Sequence, residues 1–232
     1  MMRIKNLTFS YGHQIILKKL NITFSDTKLN MLIGPNGTGK TTLLDIIAGL
    51  YDQEKPHLDK IQIPSHDQIA YSLQNPIYFP TLTVQQTLNM YQEIDHAGGQ
   101  TANIVMQQIQ KDVFEKIKDT KMGQLSGGER KLLLTYGTCL LKRDLYLFDE
   151  PLSGVDPVNC KYVLQLIASL VTEQKKQVIF TNHQFNALST LPIQVIGLNH
   201  GTCVLNADYE DFIKTSENHD ADEAFQKMLS LS

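Results

Sequence analysis

The chain has no tryptophan and only three cysteines, Cys139, Cys160 and Cys203, among its 232 residues. No C-x-x-C pair occurs, and an odd count argues against a disulfide framework. The three therefore read as small buried or partly buried thiols in a reducing compartment. Positive charge is not in excess: 21 lysines and arginines stand against 24 aspartates and glutamates, a net −3. No global basic field exists to gather nucleic acid, although net charge leaves room for a local patch, and no nucleic acid is expected as a partner. The opening Met1-Met2-Arg3-Ile4-Lys5-Asn6 lacks the apolar stretch of a signal peptide. The longest apolar run, Leu132 to Leu141, is about half of the ~20 residues that span a bilayer, and Thr135, Gly137 and Thr138 interrupt it. If this protein works at a membrane, something else must cross it. What remains, 42% hydrophobic and 19% charged residues, is ordinary globular composition with enough apolar side chain for a core. Collagen-like, disordered and disulfide-scaffold classes are excluded.

The pattern of apolar residues divides the chain. Ile4, Leu7 and Phe9, then Ile15 and Leu17, then Leu20, Ile22 and Phe24 alternate with polar positions, which predicts antiparallel strands turning at Tyr11-Gly12-His13. Leu29 to Ile33 reads as a buried strand, and Lys40 to Leu50 as the helix that follows it. Residues 51–68, with Pro56 and Pro64, read as loop and edge strand, and Ile69 to Leu73 as a short strand. From Asn75 the character changes. Val84 to Ile94, Ala102 to Ile109 and Asp112 to Ile117 read as helices, with Gly98-Gly99 separating two of them. Then α/β character returns: a helix from Gly127 capped by Ser126, an apolar strand Leu145 to Phe148, a helix from Pro157, and strands at Val178 to Phe180 and Val195 to Leu198. The tail from about Ala207 reads as polar and weakly helical. Strands alternating with helices predict a mainly parallel sheet covered on both faces.

Two stretches carry chemistry. Gly34-Pro35-Asn36-Gly37-Thr38-Gly39-Lys40-Thr41 fits G-x-x-x-x-G-K-[ST]. Its glycines let consecutive backbone N–H groups curl around a phosphate chain, and the next helix points its positive end at the same phosphates. Lys40 sets an ammonium near the β and γ phosphates, and the Thr41 hydroxyl can ligate Mg²⁺. Leu145-Tyr146-Leu147-Phe148-Asp149-Glu150 places two acids at the end of a buried strand, where an open α/β sheet binds ligand. Asp149 suits Mg²⁺, and Glu150 can take a proton from an attacking water. Alone, the two acids could equally cap a helix.

Leu125-Ser126-Gly127-Gly128-Glu129 precedes Asp149-Glu150-Pro151, and with the phosphate loop it makes the chain resemble the nucleotide-binding subunit of an ATP-binding cassette (ABC) transporter over about residues 2–214. The resemblance implies a mainly parallel P-loop NTPase core sheet with an N-terminal antiparallel β subdomain and an inserted α-helical subdomain. It implies one domain over 1–232: a nucleotide-binding core over 1–74 and 125–214, a helical subdomain over 75–124, and a tail over 215–232. Tyr11 matches the aromatic that stacks on adenine, although a turn tyrosine would look the same. Gly34 to Thr41, with Thr42, match the ATP-binding loop. Gln74, in Leu73-Gln74-Asn75-Pro76, matches the glutamine that touches Mg²⁺ and the attacking water. Ser126, Gly127, Gly128 and Glu129 match the signature loop that binds the γ-phosphate held by an opposite subunit, although the Ser-Gly-Gly run would serve equally well as a plain helix cap in the monomer. Asp156, in Ser153-Gly154-Val155-Asp156, matches the acid of the loop crossing the dimer interface, and His183 the histidine that contacts the γ-phosphate. The other six histidines read as solvated.

The implied protein is a Mg²⁺-dependent ATPase. It would form a homodimer, or a heterodimer with another ABC ATPase, around two ATP molecules, and sit on the cytoplasmic face of a membrane against a separate transmembrane permease. Residues 75–124 would grip that permease. A soluble ABC ATPase such as an iron–sulfur assembly component is the alternative. The tail is shorter than the regulatory domain that many import ATPases append, which tilts the expectation towards export. Departures from the family pattern are Glu129 for the more usual glutamine, Val155 for leucine, Gly154 for alanine, and a greasier run from Lys131 to Tyr136. None removes a catalytic group.

Overall fold

The computed structural model describes residues 2–51, 56–57, 59–94, 103–183, 185 and 191–230. The expectations for His96, for Gly98-Gly99 and for a helix start at Ala102 lie outside them. Strands β1 (Arg3–Tyr11) and β2 (Gln14–Thr23) pair antiparallel, with Leu7 opposite Leu20 and Tyr11 opposite Gln14. β4 (Lys60–Gln62) adds to the free edge of β1, giving the order β2-β1-β4. The larger sheet runs β5-β6-β7-β3-β8-β9. It comprises β3 (Leu29–Ile33), β5 (Ile69–Ser72), β6 (Leu145–Phe148), β7 (Gln177–Thr181), β8 (Ile193–Asn199) and β9 (Thr202–Asp208). Every neighbouring pair is parallel except β8 and β9.

Side-chain alternation along these strands sorts residues into two cores on opposite faces. Met31, Ile33, Tyr146, Phe148, Val178, Phe180 and Val195 join one; Leu32, Leu145, Leu147, Ile179, Ile196 and Leu198 join the other. The second face is covered by the β1–β2 hairpin and helix α1 (Lys40–Ala48) through Leu43, Leu44, Ile46 and Ile47. Both faces being buried explains why β6 is continuously apolar and why β3, β7 and β8 carry apolar residues on both faces.

The first face carries helices α5 (Gly127–Leu140) and α6 (Pro157–Thr172). Packed on them are α2 (Val84–Ile94) and α3 (Ile104–Ile109), which runs through a π-helical turn at Gln110–Phe114 into α4 (Glu115–Ile117). Leu132 to Cys139 are buried without a break because α5 lies between the sheet and these helices. Gly137 is required there: a Cβ would stand 2.3 Å from the ring of Tyr91 on α2. Val84, Leu88, Met106, Ile109, Phe114 and Met122 thus share one core with the sheet, rather than forming their own.

The tail differs from its expectation. Ala207, read as the start of a weakly helical tail, lies in edge strand β9. A two-residue turn at His200 (φ 47°) and Gly201 (φ 80°), both left-handed, sends the chain straight back along β8. Helices α7 (Tyr209–Ile213) and α8 (Ala221–Leu229) follow, and Met228 of α8 packs where Gly197 leaves room on β8.

Candidate nucleotide site

Between β3 and α1 the chain makes a loop that only glycine permits. Gly34 has φ +151°, and a Cβ there would lie 2.3 Å from the Leu198 carbonyl oxygen. Gly37 (φ +81°) and Gly39 (φ +96°) are left-handed, and Gly39 caps α1. The Lys40 side chain folds back under this loop, donating to the carbonyls of Gly34 (2.8 Å) and Pro35 (2.9 Å). Burial pushes the Lys40 ammonium below the ordinary lysine range, while the charges of Glu150 and Asp149 oppose that shift.

The ends of β6 and β7 meet beside the loop. Asp149 is buried and accepts from the Thr41 hydroxyl (2.7 Å) and the Thr181 hydroxyl (2.6 Å). The Thr181 oxygen in turn accepts from the Glu150 backbone N–H at 2.7 Å. Glu150 itself sits at φ 49°, a conformation costly for a non-glycine residue and one that clusters at functional sites. Its two carboxylate oxygens are held from different sides: Gln74 Nε2 donates to one (2.9 Å) and His183 Nε2 to the other (3.0 Å). Gln74 is in turn held by Lys131 of α5, whose Nζ donates to the Gln74 carbonyl at 2.9 Å. Burial also depresses the Lys131 ammonium, again opposed by Asp149 and Glu150.

A cavity of about 650 Å³ opens over these groups, lined by Asn36, Gly37, Gly39, Lys40, Thr41, Thr42, Gln74, Glu150 and His183, with Gln14 and Ile16 of β2. The Thr41 hydroxyl and Asp149 carboxylate, with Gln74 lining the same cavity as Thr41, are hard oxygen donors too few to cage a cation. That set suits Mg²⁺, which keeps ligands from water and phosphate.

The other expected site residues lie elsewhere. Tyr11, 55% exposed at the end of β1, stands edge-on to Phe9 with ring centroids 5.0 Å apart and is not among the residues lining that cavity. Ser126, Gly127, Gly128, Glu129 and Asp156 do not line it either. They form a second surface. Ser126 caps α5, accepting from the Glu129 N–H (3.2 Å), while the Glu129 carboxylate accepts from the Ser126 N–H (2.9 Å). This reciprocal cap gives the Glu129 side chain a structural role, one that a glutamine could also fill. Asp156 caps α6, accepting from the N–H groups of Val158 and Asn159, both at 3.1 Å. The two caps touch: a Cβ on Gly128 would fall 2.6 Å from Asp156 Oδ2. Gln14, Ile16 and Lys131 were not singled out in the sequence. Strand alternation places Gln14 and Ile16 on one face, but no motif marks that face as lining a site.

A glycine loop between a buried parallel strand and a helix, with two acids at the end of β6, two strands away in the same sheet, defines a phosphate-loop nucleotide-binding protein. A family model described as "ABC transporter" matches residues 17–153, more than half of the chain. This chain belongs to the ABC transporter family. It is 26% identical to the arginine transport ATP-binding protein ArtM of Bacillus subtilis (strain 168), over 99% of this chain and 100% of that protein. It is also 26% identical to the zinc import ATP-binding protein ZnuC of Buchnera aphidicola subsp. Baizongia pistaciae, over 87% of this chain and 82% of that protein. Among solved structures, an ATP-binding subunit of an ABC transporter superposes with TM-score 0.77 at 20% identity, covering 98% of this chain and 99% of that one. A dimeric ATP-binding cassette in a post-hydrolysis state, bound to ADP and Pi, superposes with TM-score 0.71 at 21% identity, covering 90% and 98%.

Proposed function

We propose that this chain is the ATP-hydrolysing subunit of an ABC transporter, acting as a head-to-tail dimer on the cytoplasmic face of a membrane and driving a separate permease. The observation that carries the reading is the Gln74–Glu150–His183 arrangement over the phosphate loop, because a carboxylate held on both oxygens is aimed rather than solvated. In this reading the loop N–H groups and the start of α1 bind the phosphates, and Lys40 turns its ammonium from the loop carbonyls to them. Mg²⁺, when bound by Thr41, Asp149 and Gln74, neutralises charge on the phosphate oxygens. Glu150 accepts the proton of the attacking water, and His183 orients Glu150 and faces the γ-phosphate. Tyr11 stacks on adenine.

Ser126, Gly127, Gly128 and Glu129 serve the partner's nucleotide. The Ser126 oxygen already accepts from Glu129 N–H, which leaves its O–H able to donate to a phosphate. Asp156 stands at the crossing between the subunits. Among the described residues no helix is long and apolar enough to cross a membrane. Ile77 and Phe79, 92% and 58% exposed just beyond Gln74, suit an apolar loop of a permease. The zinc relative's name speaks of import, as does that of a petrobactin import ATP-binding protein of Bacillus subtilis (strain 168), so we read the direction as import, against the expectation drawn from the tail.

The test is phosphate release with Mg²⁺ and ATP. The unmodified chain should turn ATP over, and Glu150→Gln should bind ATP but lose at least ~100-fold in kcat, the scale of a lost general base. Turnover in Glu150→Gln within a few-fold of the unmodified chain would refute the role of Glu150.

A further inference from the structure

Two adjacent basic residues in the first turns of α5 hold the segment that carries Gln74. Lys131 donates from Nζ to the Gln74 carbonyl at 2.9 Å. Arg130 reaches the other end of the segment: its Nη1 donates to the Tyr78 hydroxyl, its guanidinium carbon lies 4.6 Å from the Tyr78 ring centroid, and its Nη2 donates to the Leu125 carbonyl at 3.1 Å. The segment 74–78 is thus fixed at both ends to the helix capped by Ser126.

The Lys131 contact has a chemical consequence. The residue whose carbonyl it holds uses its side-chain amide to hold Glu150, so one bridge runs from α5 through Gln74 to the carboxylate. The Lys131 ammonium also lies within electrostatic reach of Asp149 and Glu150. Any shift of the Gln74 backbone moves the amide, and with it one of the two hydrogen bonds that aim Glu150. We propose that Lys131 is a positioning residue for hydrolysis, acting through Gln74 to keep Glu150 aimed and tying that carboxylate to the loop with which the same chain completes its partner's site. This rests on the functional reading above. A lysine there merely covering apolar surface with its stem would serve no such purpose.

The experiment measures kcat and KM for ATP in Lys131→Met and Lys131→Arg of the full chain, beside Glu150→Gln. Lys131→Met should lower kcat about 10-fold, since small misplacement of an aligned group carries losses of that order or more, with KM within about two-fold because the phosphate loop is untouched. Lys131→Arg, which keeps charge and donor, should recover most of the lost rate. Should Lys131→Met fail to give a cooperative melt, Lys131→Gln replaces it: its amide is one bond too short, so the same loss is expected. The proposal is overturned if kcat stays within two-fold, if KM rises as far as kcat falls, or if arginine is as impaired as methionine. A chain that keeps turning over as Glu150→Gln would instead refute the reading of Glu150, whatever Lys131 does.

Discussion

The phosphate loop depends on single atoms. At Gly34 the obstacle to any side chain is the Leu198 carbonyl oxygen of β8, a backbone atom in a paired strand that cannot swing aside. Gly34→Ala should therefore cost about 1–3 kcal/mol of stability, the range for overpacking a filled interior. A chemical-denaturation midpoint checks the stability, and nucleotide titration should show weaker ATP binding as the loop is pushed open. Unchanged stability would mean that β3 and β8 can separate at that point. Gly34 to Thr41, Asp149 and Glu150 could be picked out from the sequence because their chemistry restricts residue type at fixed spacing. Lys131 could not, since a lysine in a helix is most often solvated and its partner lies far along the chain. The role of the Glu129 side chain became visible only in the cap it closes with Ser126, and that cap does not account for glutamate rather than glutamine.

At the scale of elements, α1 is tied to β5 by one polar contact: the Tyr71 hydroxyl donates to Asp45 Oδ1 at 3.0 Å. Burial raises the pKa of Asp45 above its ordinary 3.8, with nearby Asp149 adding to the rise and the Tyr71 hydrogen bond opposing it. The folded chain therefore binds this proton more tightly than the unfolded one. Asp45 ionisation costs stability as pH climbs from about that value through the folded one, and the cost is in full force at neutral pH. Asp45→Asn keeps an oxygen acceptor for Tyr71 and removes the charge. It should raise the thermal midpoint at pH 7 and make no difference near pH 3.5; a lower midpoint at pH 7 would show that the charge itself is stabilising. Element positions were the most legible part of the sequence. Val84–Ile94 and Leu145–Phe148 fall where periodicity and unbroken apolar character put them. Edge strand β9 was illegible because consecutive half-exposed residues such as Cys203, Val204 and Leu205 blur its alternation, and its turn lacks the asparagine–glycine pair of a plain hairpin signal.

At the scale of the whole molecule, one chain presents two unlike surfaces. One holds Lys40, Thr41, Gln74, Glu150 and His183 around a cavity; the other holds the touching caps of α5 and α6. Both are built on the same packed sheet and helices, so neither surface can fold over to meet the other. Within one chain the second surface serves as a pair of helix caps; in the proposed dimer another copy, or a related chain, would bring it to the first. Nucleotide would then join subunits, and loss of the γ-phosphate would let them part. The α2–α5 contact, with Tyr91 on Gly137, and the Lys131–Gln74 bridge would carry that opening towards Ile77 and Phe79. The decisive measurement is the solution mass of Glu150→Gln by light scattering, with and without saturating ATP and Mg²⁺. With nucleotide the mass should reach twice the 26.2 kDa of the chain, and without it the mass should fall back to one chain. A variant shown to bind ATP yet fixed at the mass of a single chain would mean that the two surfaces do not complete one another.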